Sequence, residues 1–275
     1  MSSDKNITNI FHPAPYLERQ VSPVLENNNM TAEIVWTYLI ARKYESDLPL
    51  LVNKLCGHEE DLPNNAKIWL ETYLYPTRIR KEEGKYWRSR ADLAIGCIGH
   101  VGGKEAQIRA DGDWICIAES KWFDDIHPNS RFPNILQFSQ LIEHALLLHD
   151  KNGKFPERVY VTLITPEYFK DQKGPFSRRD YWEKYQDYTT DRKLLENDLR
   201  LCPLTFLKHD VETLTRRIGA LTLNWVTFEN LLGLPNLVEH HIPGKYRTTR
   251  KTWKQVFGEM NRQDLFVELT KEFER

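Results

Sequence analysis

A chain of 275 residues with 40% hydrophobic and 12% aromatic side chains has enough apolar material for one large or two small folded domains, which excludes global disorder. Its 38 Lys and Arg against 39 Asp and Glu leave a formal charge of −1, so the chain is no polycation coating nucleic acid or anionic lipid by bulk charge. Such a partner needs a local patch, and the second part is the better place for one: residues 1–150 carry 16 basic and 21 acidic side chains, residues 151–275 carry 22 and 18.

Residues 1–30 contain Pro13, Pro15, Pro23 and the run Asn27, Asn28, Asn29, the pattern of an irregular arm. After Thr31, the set Ala32, Val35, Trp36, Leu39 and Ile40 recurs at i, i+3, i+4, i+7 and i+8, which predicts an amphipathic helix over 31–43. Further helices are expected over 46–56 and 64–73. The character then changes. Residues 85–98 (KYWRSRADLAIGCI) are rich in strand formers, and Gly99, Gly102 and Gly103 mark a turn after them. Residues 113–122 (DWICIAESKW) are apolar on both faces through Ala118, as expected of a central strand covered on both sides. Pro128 and Pro133 fall in an expected loop, a helical pattern runs over 134–150, and the β-branched run 158–165 is stopped by Pro166. The order is helix, strand, strand, strand, helix, strand.

Beyond 166 the text is aromatic and charged, then mostly helical, with helices expected near 191–200, 210–219 and 227–233 and a short strand at 204–208. No repeat or flexible linker sets this part apart, so it is expected to pack on the core. The fold class is therefore α/β, a central mixed sheet flanked by helices. Residues 1–170 form the core with its N-terminal arm, and 171–275 a mostly helical C-terminal elaboration.

Cys56, Cys97, Cys116 and Cys202 show no C-x-x-C pair and no ladder of short loops, so neither a disulfide framework nor a zinc ribbon is indicated. The N-terminus lacks a basic-then-apolar signal pattern, and no apolar run approaches the roughly 20 residues of a membrane span. A soluble cytoplasmic protein with no membrane partner is expected.

Chemistry concentrates near the end of 113–122. Glu119 and Lys121 are two apart, so on a strand they share a face beside Ile115 and Ile117. Charges ending an apolar central strand are costly to bury unless paired or holding a metal. Asp92 opens the strand before, where a neighbouring strand could bring its carboxylate to Glu119. Two converging carboxylates suit Mg²⁺, which prefers one or two carboxylates together with waters and a substrate phosphate.

Asp92 followed by Glu119-Ser120-Lys121, in that order of elements, resembles the PD-(D/E)xK nuclease superfamily, whose core is restriction-endonuclease-like. The resemblance covers roughly residues 30–166. It implies a metal-dependent nuclease that hydrolyses DNA with metal-activated water. Asp92, Glu119 and the main-chain carbonyl of Ser120 would hold Mg²⁺, for which Mn²⁺ would substitute, and Lys121 would orient or deprotonate the water. Glu33 matches the extra glutamate that many members carry on the first core helix. Ala91 stands where the family has its proline, and the glutamine followed four residues later by tyrosine is absent. Dimerisation, which would let two copies cut both strands, is compatible with the family.

Other residues have ordinary readings beside functional ones. Gln137, Gln140 and His144 recur along one helix face and could touch substrate or the lysine, Gln140 being the candidate by analogy with the family's helix; solvent exposure is the alternative. Asp124, Asp125 and His127 fit a solvated acidic turn better than a metal site, and the adjacent His240 and His241 would face opposite ways. Two basic stretches could grip a phosphate backbone: Arg88 and Arg90, leading into Asp92, and Lys245, Arg247, Arg250, Lys251 and Lys254, interleaved with Tyr246 and Trp253. A solvated charged face is the alternative for both. The rival to the nuclease reading is an inactive nucleic-acid-binding or assembly subunit with the same fold.

Overall fold

In chain order the elements are β1 (Phe11–His12), α1 (Ala32–Lys43), α2 (Leu48–Cys56), β2 (Lys67–Leu74), β3 (Arg78–Arg80), β4 (Tyr86–Trp87), β5 (Arg90–Val101), β6 (Gln107–Ser120), β7 (Pro128–Asn129), β8 (Phe132–Leu136), α3 (Gln137–Leu146) and β9 (Arg158–Thr165). There follow α4 (Glu167–Lys170), α5 (Asp180–Thr190), α6 (Arg192–Arg200), β10 (Thr205–Leu207), α7 (Val211–Arg217), a 3-10 turn (Ile218–Ala220), β11 (Leu221–Thr227) and α8 (Phe228–Leu232). The structure is a computed structural model describing residues 11–12, 32–62, 66–74, 78–80, 86–87, 89–101, 107–122, 128–129, 132–172, 179–200, 205–207, 211–235 and 237–238.

The main sheet has six strands in the order β1-β2-β5-β6-β9-β11. It is mixed: β5 runs antiparallel to both β2 and β6, whereas β6, β9 and β11 are mutually parallel. Parallel strands are stable where both faces are covered, and these read accordingly: every residue of β9 after Arg158 is buried. On one face, Thr162 Oγ1 donates to the Leu55 carbonyl of α2 (2.7 Å), and Thr37 of α1 meets the Ser120 hydroxyl (3.0 Å). On the other, α3 lies against β6 and β9.

Local chemistry sets the element ends. Asp47 caps α2 by accepting from Leu50 N at 3.3 Å, and Gly57 closes the helix in the left-handed conformation at φ 83°. In the β5–β6 hairpin the register shifts between Gly96 and Ile98. Gly96 has φ 148°, and a Cβ there would stand 3.0 Å from the Trp114 carbonyl oxygen, so only glycine fits this bend.

Three expectations are corrected. Residues 64–73 are not a helix: 67–74 form β2, whose Ile68, Leu70, Thr72 and Leu74 are buried on one side while Trp69 and Glu71 are buried on the other. A strand enclosed on both faces loses its alternation, so the apolar run looked helical. The helix expected over 134–150 starts only at Gln137, because 132–136 pair as a strand with 128–129 where a loop was expected. The part after 170, expected to be mostly helical with a short strand at 204–208, also gives a strand to the central sheet, where 221–227 is a parallel neighbour of β9. No helix among the described residues is long and apolar enough to cross a membrane.

Candidate active site

The site grows from the C-terminal end of β6. Leu93 pairs with Ala118 across the antiparallel β5–β6 ladder, so Asp92 and Glu119 are the next residues outward on the two strands. In the β2–β5 ladder Ala91 pairs with Thr72 and Leu93 with Leu70, which leaves Asp92 and Glu71 between the same two rungs. Three neighbouring strands thus each bring one carboxylate to the same level. Glu71 is held at φ 49°, a left-handed conformation that costs a non-glycine residue about 1–3 kcal/mol and survives only where the surroundings impose it.

Contacts knit these groups together. Lys121 Nζ stands 2.8 Å from Glu119 Oε1 and donates to Gln137 Oε1 at 2.9 Å. Asp92 Oδ2 accepts from Ser120 N at 2.6 Å. From α1, Glu33 Oε1 accepts from Trp122 N at 3.1 Å, bringing a fourth carboxylate over the strand end. The rings of Trp36 and Trp122 pack at a tilt with centroids 5.0 Å apart, and those of Trp36 and Phe228 likewise at 5.7 Å, an apolar cluster that anchors the chain just after Lys121. Glu71 Oε2 pairs with Arg90 Nε at 3.0 Å.

Electrostatics follow from enclosure. Asp92 is only partly buried as a residue, but its carboxyl group is enclosed. Loss of water, then the charges of Glu119 and Glu71, push its pKa well above the ordinary carboxylate range, against the pull of Lys121 and the Ser120 N–H. Burial works against the Lys121 ammonium, but Glu119 and Asp92, with Glu33 further off, outweigh it and raise its pKa above the ordinary lysine value. Lys121 is therefore a firmly charged donor. Among the described residues, Lys121 and Arg90 are cations of this cluster: Lys121 beside Glu119 and Asp92, Arg90 beside Glu71.

Of the residues singled out in the sequence, Asp92, Glu119, Ser120, Lys121 and Glu33 come together here. Gln140 does not supply the contact to Lys121: the helix residue that does is Gln137, at the first turn of α3, while the Gln140 carbonyl oxygen pairs with His144 Nδ1 at 2.8 Å within the helix. Arg90 lies at the margin of the cluster, with 43% of its side chain exposed. Arg88, Asp124, Asp125, His127, His240, His241, Lys245, Arg247, Arg250, Lys251 and Lys254 lie outside the described residues. Sequence reasoning missed Glu71. The signal was there, a lone acid inside the apolar run KIWLETYL, but a helical reading of 64–73 took it away from the sheet. Among the described residues no group of three or more His, Cys, Asp or Glu closes round one point as a ready metal cage. The chain matches no protein-family model, no curated protein and no solved structure.

Proposed function

We propose that this chain is a metal-dependent nuclease of the PD-(D/E)xK, restriction-endonuclease-like kind, hydrolysing DNA phosphodiester bonds with a metal-activated water. The observation that carries the reading is the meeting of Asp92, Glu119 and Lys121 at the rim of the buried sheet, with Glu33 reaching in from α1. A structural ion pair needs one acid; here several enclosed carboxylates crowd one lysine, an arrangement costly to keep unless it serves a ligand.

The donor set fits Mg²⁺ or Mn²⁺: all the candidate ligands are hard oxygens, and carboxylates from β5, β6 and α1 gather round Lys121. Asp92, Glu119, the Ser120 carbonyl and Glu33 would hold the ion, which when bound supplies an acidified water and offsets charge on the phosphate. The chain's own groups do the rest. Lys121 offers a charged N–H beside the same point, which suits orienting the water and stabilising the anionic transition state better than abstracting a proton. Gln137 holds that ammonium by accepting from it, and the Ser120 and Trp122 N–H groups hold Asp92 and Glu33. No covalent nucleophile is required.

The test is a supercoiled plasmid incubated with Mg²⁺ or Mn²⁺. The parent is expected to nick it and Lys121→Ala and Asp92→Asn to lose at least about a hundredfold in rate, the scale of one lost electrostatic donor. Nicking unchanged in both variants, at equal purity, means the cluster is not its source. A parent that binds DNA in the same buffer yet never cuts it indicates an inactive subunit with this fold.

A further inference from the structure

The pairing of Arg90 with Glu71 belongs to the same charge cluster, yet it has no part in the metal- and water-holding roles just proposed. Arg90 precedes Asp92 by two residues on β5, which puts the two on one face of the strand about 7 Å apart, one or two nucleotide steps at about 3.4 Å of rise each. Its partner is unusual. An exposed arginine ordinarily pairs with an exposed acid, a loose contact in which both side chains keep moving. Glu71 instead has only 1% of its side chain exposed, while Arg90 has 43%. Breaking an ion pair on a buried carboxylate is costly, which holds Arg90 to this position. The guanidinium is tethered through Nε and keeps much of its surface toward solvent at the rim of the site. Guanidinium geometry suits phosphate oxygens, and a cation already ordered binds without a further entropy cost.

We propose that Arg90 is a preorganised clamp for the DNA phosphate next to the one being cut, and that Glu71 is the positioning residue that holds it there. This rests on the nuclease reading of the Asp92 and Glu119 site. Glu71 acts through Arg90: its carboxylate accepts from the guanidinium and fixes where the cation stands.

The experiment measures binding of a fluorescein-labelled DNA duplex of about 20 base pairs by anisotropy, in EDTA so that nothing is cut, over a series of salt concentrations. Arg90→Ala is expected to weaken binding about tenfold, as for one charge-assisted contact, and to flatten the slope of log K against log salt by about 0.9, as for one phosphate contact. Glu71→Gln keeps the cation but loosens its tether, so the affinity falls about threefold with the slope unchanged. Because Arg90→Ala strands a buried charge and lowers stability, the double variant Glu71→Gln, Arg90→Ala is measured too. It is expected to melt near the parent temperature and keep the full binding defect. Arg90→Ala with parental affinity and slope overturns the clamp, as does recovery of binding in the double variant, which would trace the defect to folding. Lys121-dependent nicking in the parent alongside either result leaves the nuclease reading standing and removes only the clamp. A parent that neither binds the duplex nor nicks a plasmid sinks both.

Discussion

Replacing Lys121 by methionine removes the ammonium paired with Glu119 while keeping much of the side-chain volume. The pair it breaks is deeply placed, with 10% of the lysine and 3% of the Glu119 side chain exposed. Solvent screening is weak there, and removing one partner of a buried pair costs about 3–5 kcal/mol, chiefly because the carboxylate is left without its counter-charge. For a body of this size each kcal/mol lowers Tm by about 2–4 °C, so without divalent ion Lys121→Met is expected to melt about 6–20 °C below the parent. Adding Glu119→Gln to it removes the stranded charge and should return part of the loss, a coupling of about 0.5–3 kcal/mol in the double-mutant cycle. Mg²⁺ should raise the melting temperature of Lys121→Met, since an ion bound only by the folded state stabilises it. Differential scanning calorimetry on the four proteins gives the numbers. A Lys121→Met variant melting within about 1 °C of the parent, or strictly additive losses, would refute the picture of one crowded, enclosed charge cluster.

Three further outcomes follow from the packing. Trp36→Ala opens the ring cluster with Trp122 and Phe228 under the site and should cost about 3–5 kcal/mol, seen as a lower urea midpoint, with nicking activity falling as the 121–122 segment loosens. Glu33→Ala leaves the Trp122 N–H without its side-chain acceptor and should cost about 1–3 kcal/mol by the same measurement, whereas a loss under about 0.3 kcal/mol would mean that bond contributes nothing. Gly96→Ala places a Cβ against the Trp114 carbonyl at a positive φ and should destabilise by about 1–3 kcal/mol; a variant as stable as the parent would show that the bend tolerates a side chain.

Part of this architecture was legible along the chain. The run 158–165 is bounded as expected because β-branched residues end at a proline, and both limits are local. The helix over 31–43 matches within a residue for the same kind of reason: its apolar spacing is a property of neighbouring residues. The spacing of Glu119 and Lys121 also carries over, since alternation along a strand needs no partner. Glu71 was not legible, because its place depends on β2 lying beside β5, and a fully enclosed strand has no polar face to mark its period. Gln140 was favoured over Gln137 by analogy with the family's helix; which of them meets Lys121 depends on where α3 starts, and the strand pairing of 132–136 with 128–129 lies just before that start.

Composition, periodicity and the acid-x-lysine triplet, all short-range properties of the chain, therefore determined an α/β protein and named Asp92, Glu119 and Lys121 as its charged candidates, to which the family resemblance added Glu33. Which strands lie side by side, and hence that Glu71 stands level with Asp92 and tethers Arg90, was decided only by tertiary structure. The physical reason is that strand order and register are settled by what each face buries against, and residues far apart in the chain make that choice together.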